Sequence, residues 1–257
     1  MSSEQIMSTL PALDPAGEGY QEAFAAYLAH SDEAAVTRPR LDRIVASLPE
    51  RLEFIDVGAG FGRTVRWFVD SFAHVVAIEP NLELHHRITL AAPDAEVLGG
   101  SILTAQPRLP ADLVLCSHIL YYVPRQDWQA CLNRMASWLS EEGELVVLLQ
   151  NPDSDLMRLL HRFTGRRFDL AELLPATRDS GWSVVLDTVP SILAAPDLDT
   201  ALMIFRFFLS GITSVPTDER RPARTRAELT RQLDRHRLDD GGYRMSCTQD
   251  VLRLRRR

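Results

Sequence analysis

Two clusters in this sequence combine residue types and spacings that could do chemistry. The first is Asp56-Val57-Gly58-Ala59-Gly60-Phe61-Gly62, an acid followed by glycine at alternate positions. Glycine admits backbone angles that side chains forbid, and without a Cβ it lets a ligand approach the main chain. Glu79 then closes the next apolar run, where a carboxylate can accept hydrogen bonds from ribose hydroxyls. Pro80 behind it could border the ribose or its base. The second cluster is Ser117-His118-Ile119-Leu120-Tyr121-Tyr122, which leaves another apolar run. A histidine there can accept a proton near neutral pH, and tyrosine rings can hold a cation on their faces. Cys116, just before them, reads as a small buried hydrophobe.

These residues need elements to position them, and the apolar patterns supply a coarse set. Residues 52–57 read as a buried strand and 63–71 as a helix, whose unpaired first amide groups face the glycine turn. Strand 74–79, helix 82–92, strand 95–98, strand 112–117, helix 126–139 and strand 144–149 follow, the last entered through a turn at Gly143. Such alternation predicts a parallel, doubly wound sheet. Two helices, 18–29 and 39–48, precede it. Tyr20, Phe24, Tyr27 and Leu28 share one face of the first. Beyond residue 150 the spacing predicts helices at 155–163 and 169–180, a strand at 182–189 and helices at 198–209 and 225–234. A last strand is expected over 243–254. Residues 1–17 read as loosely ordered, 18–257 as one domain, and 190–242 as a helical insertion before the last strand.

The glycine spacing separates two nucleotide cradles. A dinucleotide fingerprint places its third glycine three residues after the second; here that slot holds Arg63, and the third glycine is Gly62. Asp56 through Gly62 resembles motif I of the class I S-adenosylmethionine-dependent methyltransferases. The segment Asp112 to Pro124 resembles their fourth-strand motif, and Leu120-Tyr121-Tyr122-Val123 looks like the histamine N-methyltransferase-like family. Glu79-Pro80, Arg226-Ala227-Glu228-Leu229 and a final strand near the C-terminus agree with that resemblance, which spans about residues 20–254.

The resemblance implies a Rossmann-like α/β fold with seven strands, the last antiparallel, and S-adenosylmethionine as cofactor. It implies cofactor contacts from Asp56, Gly58, Gly60, Glu79, Pro80, Ser101, Ile102, Ser117 and His118. It also implies a small amine as acceptor. Glu33 matches the family's N-terminal glutamate behind Tyr27-Leu28, while His118 stands where the family has glutamine and Cys247 where it has asparagine. The substrate set is thus Tyr27, Glu33, His118, Tyr121, Tyr122 and Cys247, with His118, Glu33 and Tyr122 closest to the chemistry. Attack on the aminoalkyl chain to release methylthioadenosine, oxygen methylation, and a cofactor-binding partner subunit without activity remain open alternatives.

Composition bounds the rest. The chain has 257 residues and a formal net charge of −7, which disfavours a general nucleic-acid binder. All 28 basic residues are arginine, so Schiff-base chemistry on a lysine is excluded. Cys116, Cys131 and Cys247 form no C-x-x-C pair and no metal spacing, as expected in a reducing cytoplasm. Neither a signal pattern nor a membrane span is visible, and a monomer or homodimer acting on a small molecule is expected.

Overall fold

The computed structural model describes Leu13, residues 17–213 and residues 226–257. The loosely ordered start expected over 1–17 lies outside these residues apart from Leu13 and Gly17, as does part of the 190–242 insertion. The chain divides into two compact units. One comprises Pro39–Leu149, Leu170–Asp187 and Asp250–Arg257, and the other Met1–Arg38, Gln150–Asp169 and Thr188–Gln249. They are called the sheet unit and the helical unit below.

The sheet unit is built on β1 (Glu53–Val57), β2 (His74–Ile78), β3 (Glu96–Leu98), β4 (Ala111–Ser117) and β5 (Leu139–Gln150). With β6 (Trp182–Val189) and β9 (Gln249–Arg256) they form a seven-stranded sheet of order β3-β2-β1-β4-β5-β9-β6, whose last strand is antiparallel. This is the doubly wound α/β arrangement expected. β1 is buried along its whole length, as a central parallel strand covered on both faces should be. Registers Val57↔Ile78, Ile78↔Leu98 and Val57↔Cys116 bring the carboxyl ends of β1 to β4 level with one another. Strand order reverses between β1 and β4, and ligands of open α/β sheets bind outside such a switch point.

Short helices connect these strands: α3 (Arg63–Phe68), α4 (Leu82–Ala91) and α5 (Trp128–Ala136). Gly143 differs from expectation. It lies inside β5 rather than in a turn, and a Cβ there would stand 2.4 Å from the Ala111 carbonyl oxygen. The pairing of β5 with β4 shifts between Ala111 and Leu113, and glycine lets the irregular strand pass that close. The expected helix 169–180 resolves into a 3-10 turn, Leu170–Leu173, and α7 (Leu174–Asp179), with Pro175 at the helix start.

The helical unit holds α1 (Glu18–His30), the first residues of α2 (Glu33–Ala46), α6 (Asp155–Thr164), α8 (Leu198–Thr213) and α9 (Arg226–Leu233). A small antiparallel pair, β7 (Ile192–Ala195) and β8 (Tyr243–Ser246), completes it. The expected strand 243–254 is therefore two strands broken at Cys247 and Thr248, and β7 was not anticipated. α2 begins six residues before its expected start and carries Pro39 inside it, so proline alone does not set the boundary. Along α1, the rings of Tyr20 and Phe24 pack at a tilt against Phe207 of α8, with centroids 4.9 and 5.3 Å apart. Tyr27 meets Phe208 edge-on at 4.9 Å, so the predicted aromatic face of α1 is the one that packs.

Candidate functional site

In the sheet unit the glycine turn is tied down by backbone groups. Gly58 and Ala59 donate to the Ile78 carbonyl at 2.7 and 3.1 Å, fastening the turn to the end of β2. Gly58, Gly60 and Gly62 all have positive φ, at 71°, 56° and 73°. The three serve different ends. A Cβ on Gly58 would stand 2.2 Å from Ile119 Cδ1, and one on Gly62 would crowd Ile88 and Ala91 of α4. A Cβ on Gly60 would meet nothing nearer than the Gly58 carbonyl at 4.0 Å. That open flank is where a ligand can reach the main chain.

Glu79 is the pivot of this region. It is only 6% exposed; its Oε2 accepts the Gly60 N–H and its Oε1 the Asn81 N–H, both at 2.9 Å. A carboxylate offers about four lone-pair positions, so two remain for hydroxyl donors. Asn81 in turn accepts from the Glu83 N–H and starts α4, and His85 Nε2 contacts the Glu79 carbonyl at 2.8 Å. Asp56 lies under the turn, fully buried, and accepts from the Thr64 hydroxyl. Burial raises its pKa to about 7 against the lowering pull of Thr64 and the Val65 amide. An open glycine turn beside a braced carboxylate fits a ribose-bearing cofactor.

At the end of β4, Ser117 is half-buried and His118 leaves the strand. His118 is the one non-glycine residue with positive φ, 60°, among the described residues. Such conformations cost on the order of 1–3 kcal/mol and cluster at functional sites. Its amide still donates to Leu148 at 2.9 Å, while the ring stacks on Tyr121 at 6.0 Å between centroids. Tyr121 is buried and Tyr122 is 42% exposed. The Leu120–Tyr122 turn that carries them is pinned by Trp128, whose indole N–H bonds the carbonyls of Leu120 and Val123 at 3.1 Å. After β3, Ile102 is buried and Ser101 exposed, its amide bonded to the Thr104 hydroxyl at 2.9 Å. Pro80 is exposed between Glu79 and Asn81.

The helical unit brings Tyr27, Glu33 and Cys247 together. The Tyr27 hydroxyl donates to Glu33 Oε2 at 2.5 Å and accepts from Gln150 Nε2 at 2.9 Å. Cys247 Sγ lies 3.1 Å from the Ser191 hydroxyl, which donates to Asp32 at 2.8 Å. Tyr27, Glu33, Gln150, Ser191 and Cys247 are all buried. Burial pushes the Cys247 thiol up to about 12, against hydrogen bonds from Ser191 and Tyr27, and the carboxylates of Glu33 and Asp32 add to the rise. The cluster thus sets the carboxylates of Glu33 and Asp32 near a thiol that stays protonated. The other predicted substrate residues, His118, Tyr121 and Tyr122, belong to the sheet unit.

Sequence reasoning missed Thr64, Asn81, Trp128, Gln150, Ser191 and Asp32. Asn81 was visible as a helix-start residue behind Glu79-Pro80, and Gln150 as the polar end of an otherwise apolar strand. Ser191 and Asp32 carry no local signal, because their partners are distant in the chain.

A family model described as a methyltransferase domain matches residues 28–182. A solved structure from Bacillus halodurans C-125, provisionally named a methyltransferase, is 16% identical at a TM-score of 0.60, covering 85% of this chain and 97% of that one. The N-methyltransferase NodS of Bradyrhizobium japonicum WM9 is 12% identical at 0.53, covering 88% and 98%. A complex of DhpI with SAM and HEP is 19% identical at 0.51, covering 65% and 85%. At these identities the likeness is one of fold. No curated protein matches the sequence.

Proposed function

Since the chain belongs to the methyltransferase-domain family, we propose that it moves the methyl group of S-adenosylmethionine to an amine nitrogen of a small molecule. The observation that carries this reading is Glu79, buried and braced by the Gly60 and Asn81 amides beside an open glycine turn. Glu79 accepts the ribose hydroxyls, and the Gly58–Gly60 backbone receives the methionine part. Pro80, Ser101, Ile102, Ser117 and the His118 backbone border the remainder. Asp56 holds the turn from below through Thr64. S-adenosylmethionine supplies an already activated methyl group on a sulfonium.

The residues of the chain then have to position, and only secondarily to move a proton. Holding reactants in line supplies about 7–11 kcal/mol of a barrier. Glu33, locked by the Tyr27 hydroxyl, holds a cationic or hydrogen-bond-donating part of the acceptor. His118, its strained backbone held through its amide to Leu148 and followed by a turn that Trp128 pins, takes the proton that an ammonium acceptor must lose. The rings of Tyr121 and Tyr122 favour a cation at about 0.5–2 kcal/mol. Segments 18–50 and 190–242 select the acceptor.

The resemblance to the histamine N-methyltransferase-like family enters here, with a specific difference. Glu33 keeps the acidic partner, Gln150 supplies a glutamine amide from β5, and His118 and Cys247 stand where that family has glutamine and asparagine. An amine other than histamine follows. Among the described residues no helix is long and apolar enough to cross a membrane. Thermal shift with S-adenosylmethionine against NAD, followed by identification of the nucleoside product, tests the reading. Stabilisation by the former and release of S-adenosylhomocysteine are expected. Stabilisation by NAD alone, or release of methylthioadenosine, overturns it.

A further inference from the structure

The sheet unit holds a second concavity whose lining follows from strand alternation. Along β9, Leu252 and Leu254 are buried while Arg253 and Arg255 take the opposite face. Beside them on β5 is Glu144, fully buried, a charge tolerable only when paired. Arg253 binds it through Nε and through Nη2 at 3.1 Å, and Arg255 through Nε at 2.6 Å. From α2, Arg40 pairs with Asp187 of β6. Arg40, Arg43, Ile44, Ser47, Arg253 and Arg255 together line a cavity of about 350 Å³.

From this cluster we propose a binding site for a phosphate-type dianion, free or as the phosphate of a small ester. Four guanidinium groups face two carboxylates, an excess of two positive charges in a chain whose net charge is −7. Each guanidinium carries five N–H donors and no acceptor. Arg43 gives only its Nε, to the Pro39 carbonyl at 3.1 Å, and has no carboxylate partner among the described residues. The Nε of Arg40 is buried and has no acceptor among the described residues. The Ser47 hydroxyl already donates to Ile44 and accepts from Arg255 at 3.2 Å. The pocket is thus rich in donors and short of acceptors, so a fitting ligand must bring oxygen atoms and negative charge. Phosphate does both, and guanidinium forks match its oxygens two at a time.

Size and charge narrow the ligand. The volume is roughly ten times a water molecule's share of the liquid, which leaves space beyond the phosphate for a small organic group against Ile44. A nucleic acid would need a basic stripe, and this is one local concavity lined by six residues. Structural bracing of the sheet accounts for Arg253 and Arg255 but leaves Arg43 without a role.

Calorimetric titration of the whole chain with inorganic phosphate, against sodium chloride of equal ionic strength, tests the site. Expected are one saturable event per chain, persistence in excess S-adenosylmethionine, and at least a tenfold loss of affinity in Arg43→Gln. That exposed substitution keeps a good helix former and should leave the fold intact, read as an unchanged melting temperature. Heat no greater than that of chloride, displacement by S-adenosylmethionine, or unchanged affinity in Arg43→Gln would overturn the proposal.

Discussion

The glycine turn of the sheet unit and the Tyr27-Glu33-Gln150 cluster of the helical unit are both polar and both built around a carboxylate, yet they are made in different ways. At the turn, backbone does the work: three positive-φ glycines and the amides of Gly60 and Asn81 set Glu79 in place. In the cluster, side chains do it: Tyr27, Glu33 and Gln150 come from α1, α2 and the end of β5 and satisfy one another. A backbone cradle accepts any ligand of the right shape and charge at one place. A side-chain cluster can be rewritten residue by residue. The first suits a common cofactor and the second an acceptor that varies.

Substitutions in the two regions should separate donor binding from acceptor binding. The largest effect is expected of Gly58→Ala, whose Cβ would strike Ile119 at 2.2 Å in a backbone conformation that alanine resists. Affinity for S-adenosylmethionine should fall at least a hundredfold by calorimetry, with a lower melting temperature. Glu79→Gln, which keeps one acceptor and loses the charge, should weaken donor binding about ten- to a hundredfold. Acceptor affinity should stay the same. Glu33→Gln should invert that pattern. The KM for an amine acceptor rises about tenfold or more while the donor's dissociation constant stays put. Equal damage to both ligands from either variant would erase the distinction between the two regions.

A separate effect, on stability rather than on binding, is expected from pH. The Asp56 carboxyl is raised to about 7 in the folded chain against an ordinary 3.8, so the native state holds a proton the unfolded chain has released. Stability should therefore decline as pH rises from about 4 to about 7 and level off above that. Asp56→Asn, which still offers Thr64 an acceptor, should flatten that slope in denaturant titrations. Smallest of all is Tyr122→Phe. An exposed ring that keeps its π face should lose less than about threefold in kcat/KM.

The same contrast explains what was legible in the sequence. Asp56, the three glycines and Glu79 lie in local runs whose spacing dictates a turn and a strand end, and the seven-stranded sheet follows from the alternation around them. Tyr27, Glu33 and Cys247 were named only through a resemblance. Their meeting depends on β7, a short strand hidden in a stretch read as a helical insertion, and on β8, read as the start of one longer last strand. Ser191 and Asp32 are 159 residues apart, a pairing that no local pattern announces. His118 was visible as a histidine but not as a strained one, because its positive φ is imposed by the exit from β4. Gly143 was misplaced for a related reason: a glycine forced by the nearby Ala111 carbonyl looks in sequence like one that makes a turn.

The most direct test of the account is incubation with S-adenosylmethionine labelled on the methyl carbon, a panel of small amines, acids and hydroxy compounds, and mass spectrometry of the products. Expected are the label on an amine nitrogen, stoichiometric S-adenosylhomocysteine, and, at acceptor concentrations below KM, about a tenfold or greater fall of that product in Glu33→Gln while donor binding persists. Label retained in methylthioadenosine, or transferred to a carboxylate regardless of Glu33, would contradict it.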